Sequence, residues 1–155
     1  MDARKLYFGD VVMYGEHLFS FKGIVPTPKD GHICNNGWGD NFNACYDGIY
    51  GLMAGVEDES IKPVVITPEK LLRCGWKEED GCWWYQGASV VLKPQHFGFW
   101  DVTLDASRRL FIEASSIKWV HELQHILRMA DLFVSYTWCK DMEACESFKK
   151  LINNQ

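Results

Sequence analysis

The sequence predicts an α+β fold, and three observations carry that prediction. Residues 6–28 alternate short apolar runs with turn dipeptides, a pattern typical of β-strands joined by tight turns. Residues 67–76 contain a capping threonine, a proline and a closing glycine, which together indicate a short helix. Residues 82–113 hold several strand candidates, and a longer stretch with helical periodicity follows them.

The first part of the chain predicts a small β-barrel of the SH3 type. Residues 11–14 form an apolar run between two turns, and residues 18–25 form a second, partly alternating run that stops at Pro26. Short strands punctuated by glycines are typical of small barrels. We therefore expect residues 1–62 to form an SH3-like barrel as the first of two domains.

Residues 29–55 form a segment of that first domain that is rich in glycine, asparagine and aromatic residues. Its turn dipeptides, such as Asn36-Gly37 and Asp47-Gly48, leave two interpretations open: hairpins that complete the barrel, or a long loop. Aromatic residues inside the barrel would serve packing, whereas aromatic residues on a loop would serve binding. The binding interpretation gives these candidate residues: Trp38, Asn41, Phe42, Tyr46 and Tyr50.

The second domain, residues 63–155, is expected to be an α+β lobe in which two or three helices pack on an antiparallel sheet. Thr67 caps the first helix and Gly75 ends it. Ser115 or Ser116 begins the longest helix. The pattern predicts strands at residues 63–66, 82–86, 89–92, 97–104 and 109–113, and further helices at residues 117–132 and 141–152.

Charge and composition narrow the classes of partner. The chain has 16 basic and 21 acidic residues, a net charge of −5 and no long basic run, so nucleic acid is a disfavoured partner. The sequence shows no apolar stretch of the length that a signal peptide or a bilayer span needs, which predicts a cytoplasmic protein without membrane attachment. The six cysteines show no C-x-x-C spacing, so we expect reduced thiols.

One segment carries a catalytic pattern. Residues 121–125 read H-E-L-Q-H and match the H-E-x-x-H pattern of zinc-dependent hydrolases. Residues four apart share a helix face, so His121 and His125 could hold one zinc ion while Glu122 activates the metal-bound water. A zinc site needs a third protein ligand. The candidates downstream for that ligand are Glu143 and Glu146.

The alternative for this segment is an ordinary amphipathic helix that matches the pattern by chance. At about 100° per residue, the apolar residues of 119–130 share one face, and His121 and His125 fall on roughly the opposite side. That side faces either a cleft or water, and the sequence does not decide which. Because the short pattern often matches proteins that bind no metal, we predict no cofactor, with zinc as the alternative.

Two stretches of the sequence are distinctive, namely residues 66–76, which read I-T-P-E-K-L-L-R-C-G-W, and residues 117–125, which read I-K-W-V-H-E-L-Q-H. With them, nearly the whole chain resembles a group of small uncharacterised proteins common in phages and prophages of gut Bacteroidales. Residues 29–55 depart from the shorter barrel of that group. The resemblance implies no established activity. It also implies that Gln and Asn can replace Glu122 and His125, which counts against zinc.

The sequence supports three functional hypotheses. The first, which we prefer, is a non-catalytic binding or accessory protein of a phage or prophage whose partner is a protein or a small molecule. The second is a zinc-dependent hydrolase that uses residues 121–125. The third is a small-ligand or nucleotide sponge that uses the aromatic side chains of residues 29–55.

Overall fold

A computed structural model describes residues 1–26, 42–48, 51–54, 56–85, 90–107 and 110–129. Within these residues the protein has an α+β fold of two antiparallel five-stranded sheets and two α-helices, which confirms the predicted fold class. The chain divides into two compact units, whose described residues lie within Met1–Val64 and Val65–Val134. Neither of the described helices is long and apolar enough to cross a membrane.

The first unit is an antiparallel meander. Its strands are β1 (Val11–Tyr14), β2 (His17–Pro26), β3 (Phe42–Gly48), β4 (Gly51–Ala54) and β5 (Ile61–Pro63). Their order across the sheet is β4-β3-β2-β1-β5, so the chain returns after β4 and adds β5 beside β1. A 3-10 turn, Asp58–Ser60, precedes β5. In the described residues β4 and β5 do not pair with each other, so the sheet is open there and the closed form of the predicted barrel is not seen.

The long strand β2 passes from buried residues to exposed residues along its length. It begins in the core, where Phe21 lies opposite Tyr46 of β3 and the two ring centroids are 5.7 Å apart. A bulge follows between Phe21 and Gly23, and Gly23 has a φ of 116°, a conformation that glycine adopts without a steric penalty. Beyond the bulge β2 is exposed. The buried core cluster consists of Ala3, Leu6, Val12, Phe19, Phe21, Ala44, Tyr46 and Ile61.

The second unit combines a meander with two helices. Its strands are β6 (Lys77–Glu79), β7 (Cys82–Trp84), β8 (Val90–Pro94), β9 (Trp100–Ser107) and β10 (Leu110–Ile117), in the order β10-β9-β8-β7-β6. The helices are α1 (Pro68–Arg73) and α2 (Val120–Met129), and a 3-10 turn, His96–Gly98, joins β8 to β9. Large buried residues come from α1, β7, β8, β9 and α2: Leu71, Trp83, Leu92, Val102, Leu104, Leu123 and Leu127.

The first helix forms as predicted, because each end has the residue it needs. The Thr67 hydroxyl accepts a hydrogen bond from the Lys70 amide at 3.3 Å, and Pro68 occupies the first turn, where its missing N–H costs nothing. Gly75 follows the helix with a φ of 84°, a left-handed conformation typical of a helix end. Local sequence therefore determined this element.

The second helix begins later than predicted. The sequence placed its start at Ser115 or Ser116, whereas β10 continues to Ile117 and α2 begins at Val120. A bulge between Ala114 and Ile117 lets β10 continue past the two serines, and Ser116 has a φ of 60°. The serines therefore lie in a strand irregularity and not at a helix cap. The helix predicted at residues 141–152 lies outside the described residues.

Candidate functional site

The two histidines of the H-E-x-x-H segment lie side by side on α2. Their ring centroids are 5.7 Å apart and the ring planes make an angle of 73°. Both side chains are half-buried, so neither points fully into water as the opposite side of an amphipathic helix would. The spacing of the motif therefore brings the imidazoles together, as two metal ligands require.

Glu122, the residue expected to activate water in a zinc enzyme, is engaged by the helix itself. Its Oε2 atom accepts hydrogen bonds from the backbone amides of Lys118 at 2.9 Å and Trp119 at 3.0 Å. The first amides of a helix have no partner within it, and a glutamate at the third helical position can reach back to them. Glu122 stands at that position in α2. Its carboxylate therefore holds the start of the helix in place.

The third zinc ligand is not supplied by the part of the chain that the structure describes. Among those residues, no group of three or more His, Cys, Asp or Glu side chains could hold a metal ion. The two candidates from the sequence, Glu143 and Glu146, lie outside the described residues. What is described is a pair of imidazoles beside a carboxylate that caps a helix.

The aromatic candidates of residues 29–55 separate into different environments. Tyr46 is 0% exposed and packs on Phe21, so it belongs to the core and cannot meet a ligand at the surface. Phe42, on the same strand, is 46% exposed. The packing interpretation therefore applies to Tyr46, and we no longer count Tyr46 among the binding candidates. The other three candidates, Trp38, Asn41 and Tyr50, lie outside the described residues.

Phe42 belongs to a group of exposed apolar residues, Ile24, Val25, Pro26 and Phe42, which we call the ribbon end. Pro26 lies directly opposite Phe42, and Ile24 lies opposite Ala44, in the antiparallel register of β2 and β3. Residues that are opposite, or two apart, point to the same face of a sheet. Ile24, Pro26 and Phe42 therefore share one face. That face is the one on which Ala44 and Tyr46 enter the core.

The sequence could not have revealed the ribbon end as a surface. It shows an apolar run ending at Pro26 and an isolated Phe42, separated by 15 residues. Only the long-range pairing of β2 with β3 makes them neighbours. The sequence holds one local signal of an unusual strand end. Ile24, Val25 and Pro26 do not alternate with polar residues, as the residues of a strand with one face in water normally do.

Several other described aromatic residues are exposed, and the most exposed of them lies in the turn between β8 and β9. Phe97 is 91% exposed and has a φ of 62°, which is uncommon for a bulky side chain. The turn is held by a 2.7 Å hydrogen bond that the Gln95 amide donates to Asp101. Nearby, the Lys118 ammonium lies 5.6 Å from the Phe99 ring centroid. Phe97 is far more exposed than Phe99, which is 36% exposed.

Among the described cysteines, Cys45 does not have the features of a nucleophile. Cys45, Cys74 and Cys82 are free thiols. Burial raises the pKa of the Cys45 thiol, and the negative charge of Asp47 raises it further. A raised pKa lowers the fraction of reactive thiolate at neutral pH. The Cys45 thiol is therefore not activated for nucleophilic attack. The other three cysteines, Cys34, Cys139 and Cys145, lie outside the described residues.

Comparison with known proteins adds no relative to these observations. No protein family, no curated protein and no solved structure matches the chain.

Proposed function

We propose that the protein is a non-catalytic binding protein and that the ribbon end is its contact surface. The observation that carries this proposal is the continuity of apolar side chains along one face of β2 and β3, from the buried Tyr46 to the exposed Phe42. Exposed apolar residues scattered singly are normal, whereas a contiguous group marks an interaction surface. The exposed aromatic residues Tyr7, Phe8, Phe97 and Phe99 lie outside the strands, whereas the ribbon end continues a strand face that leads into the core, so the ribbon end is the stronger candidate.

The shape of this surface favours a protein as the partner. Ile24 and Val25 are neighbours on one strand and point to opposite faces, yet both are exposed. The ribbon end therefore projects from its sheet. Sites for small molecules are concave and enclose most of their ligand. A projecting apolar ribbon fits a groove on another protein, so the small-ligand or nucleotide sponge is less favoured.

The setting of this function is a phage or prophage, and it rests on the resemblance of residues 66–76 and 117–125. The finer fold belongs to the same proposal. An SH3-like form of the first unit is supported by its strand order, in which β5 returns to β1 after a 3-10 turn, and by the bulge that lets β2 bend. Small barrels of this kind commonly present loops and strand ends to partners.

A photo-crosslinking experiment tests the ribbon end. A benzoylphenylalanine side chain is placed at position 42 and, as a matched control, at position 72, because Leu72 of α1 is 60% exposed. In host extract, position 42 should give a discrete crosslinked product that position 72 does not give. Excess wild-type protein should compete it away, whereas the double variant Ile24→Ser, Phe42→Ser should not.

The same experiment can refute the proposal. Identical crosslinked products from positions 42 and 72 would show non-specific contact. Equal competition by wild type and by the folded double variant would show that the ribbon end makes no contribution. Circular dichroism and the melting temperature establish that the double variant is folded, so a loss of competition reports on contact and not on unfolding.

The zinc-hydrolase alternative makes a separate prediction about metal content. We expect the protein purified without chelator to contain no stoichiometric zinc, because a zinc site needs a third protein ligand and, among the described residues, no group of three or more His, Cys, Asp or Glu side chains could hold the ion. Elemental analysis measures this directly. One equivalent of zinc that is lost in His125→Ala and retained in His96→Ala, a variant at an exposed histidine, would contradict the non-catalytic proposal.

A further inference from the structure

The Asp101 carboxylate joins the turn between β8 and β9 to the end of β10. Its Oδ2 atom accepts a hydrogen bond from the Gln95 side-chain amide at 2.7 Å, and its Oδ1 atom accepts one from the backbone amide of Ser116 at 3.2 Å. Gln95 begins the turn, and Ser116 lies in the bulge of β10, shortly before α2. One side chain therefore bridges two segments that are distant in sequence.

Both segments contain a residue in an unfavourable backbone conformation. Phe97 in the turn has a φ of 62°, and Ser116 in the bulge has a φ of 60°. Positive φ costs free energy in residues other than glycine, and it is least expected for a bulky side chain. In the described part of the chain one further non-glycine residue has positive φ, Asp80, and it precedes Gly81 in a tight hairpin turn where that conformation is usual. The two unusual cases therefore lie in the segments that Asp101 bridges.

The start of α2 also contacts the turn through a side chain. The Lys118 ammonium lies 5.6 Å from the Phe99 ring centroid and 5.1 Å from the Trp119 ring centroid, within the range of cation–π contacts. The backbone amides of Lys118 and Trp119 are those that Glu122 accepts at the start of the helix. The turn, the bulge and the first residues of α2 are therefore linked by contacts on both sides of Ser116.

We propose that Asp101 is a positioning residue that couples the β8–β9 turn to the start of α2. We call its two hydrogen bonds, from Gln95 and from Ser116, the Asp101 latch. While the latch is closed, Phe97 and Ser116 are held at positive φ and the first amides of α2 remain on their cap. When the latch opens, both strained residues can relax, and relaxation of Ser116 moves the residues that begin α2. The turn and the helix therefore change conformation together.

Strain at Phe97 gives the latch a measurable signature. The Phe97 ring is 91% exposed, so burial of the ring does not offset the unfavourable φ. Glycine adopts this φ without a steric penalty. Hydrogen bonds to a carboxylate are stronger than those between neutral groups, so Asp101 is suited to hold the strained turn. Replacing Phe97 by glycine should therefore stabilise the protein, and most of that gain should depend on Asp101.

Amide hydrogen exchange, measured residue by residue by NMR on the full chain, tests the coupling. Gln95→Ala removes the bond between the turn and Asp101 and changes no residue of α2. We expect it to raise the exchange rates of the Lys118 and Trp119 amides at least about threefold. The matched control is Glu78→Ala, which removes a carboxylate that accepts a 2.9 Å bond from a backbone amide in the turn between β6 and β7. It should leave both rates unchanged.

Thermal melting tests the strain through a double-mutant cycle. Phe97→Gly should raise the melting temperature by about 2–4 °C in the otherwise unchanged chain. In the Asp101→Ala background less than half of that gain should remain, because the turn is already free to relax. Asp101→Asn keeps an acceptor for the Ser116 amide, and its own amide can pair with the Gln95 side chain. It should therefore preserve the gain.

Three results would contradict the latch. Unchanged exchange in Gln95→Ala, or an equal rise in Glu78→Ala, would show that the turn is not coupled to α2. The same gain from Phe97→Gly in the presence and absence of the Asp101 carboxylate would show that this group does not impose the strain. Loss of the gain in Asp101→Asn to the same extent as in Asp101→Ala would show that the hydrogen bonds are not what matters.

A gentler variant keeps the cycle informative if Asp101→Ala does not fold. Gln95→Ala changes an exposed side chain and opens one half of the latch, so it should also reduce the gain from Phe97→Gly. An undiminished gain there would contradict the proposal. The ribbon end belongs to the first unit, so its double variant tests the binding function without changing any contact of the latch. The two proposals therefore fail independently.

Discussion

Helix α2 and strand β3 were both singled out by the sequence for function, and the structure treats them in opposite ways. In α2 the pattern looked catalytic, yet the glutamate at its centre caps the helix. In β3 the pattern looked like a loop or a hairpin, and the strand divides between core and surface. The difference is that a motif lists residue types, whereas function depends on which side chains remain available after the fold has used the others.

The two regions also differ in whether the fold engages their side chains completely. In α2 the Glu122 carboxylate is engaged by two amides of the preceding turn. In β3 the apolar face has more side chains than the core encloses, so Phe42 remains outside. A surplus of apolar surface costs free energy in water until a partner covers it. The proposed binding function rests on this surplus in β3, whereas the Glu122 carboxylate is engaged within the fold.

The largest expected effect on stability distinguishes Tyr46 from Phe42, which lie on the same strand. Tyr46→Ala should lower the free energy of unfolding by about 3–5 kcal/mol, because it removes a fully buried ring from the core. Phe42→Ala should change it by less than about 1 kcal/mol, since that ring is already 46% exposed. Urea unfolding measures both. Similar losses in the two variants would mean that β3 does not change from core to surface along its length.

The next largest expected effect on stability distinguishes Leu123 from His121, which both lie on α2. Leu123 is fully buried, and Leu123→Ala should cost about 2–5 kcal/mol through the cavity it leaves. His121 is half-buried, so His121→Ala should cost clearly less than Leu123→Ala. Thermal melting of the two variants side by side is sufficient. A larger loss for His121→Ala would place the structural role of α2 on its histidine side and reverse our assignment of the buried face.

The smallest effect concerns the cap at Glu122. Glu122→Ala removes the acceptor for the amides of Lys118 and Trp119 and should cost about 0.5–2 kcal/mol. Glu122→Gln keeps a side-chain oxygen that can accept, so it should retain most of the stability. Equal losses in both variants would show that charge near the helix start matters more than the hydrogen bonds. Chemical unfolding resolves the difference.

Much of the fold could be predicted because it is encoded in neighbouring residues. Strand β1 and helix α1 depend on turns and caps within a few positions, and the sequence placed both. The charged strand β6 was missed, because its residues form a strand only by pairing with β7. The start of α2 was placed too early, because the bulge after Ala114 is not a local preference of the two serines.

The candidate site was less accessible to sequence for the same physical reason. The ribbon end exists because Pro26 and Phe42 are paired across a long separation, and no local pattern encodes that pairing. The proximity of His121 and His125 followed from helical spacing and could be predicted. The engagement of Glu122 could have been considered from its place as the third residue of the helix. Predicting this cap required knowing that α2 begins at Val120 and not earlier.

The bulge in β2 divides a single strand into two stretches that should evolve under different constraints. Between Leu18 and Phe21 the side chains are buried, so a substitution there is first tested by whether the chain still folds. Beyond Gly23 the residues Ile24, Val25 and Pro26 are exposed, and a substitution there leaves folding largely intact. Substitutions can therefore accumulate in three adjacent positions of β2 without disturbing the other half of the same strand.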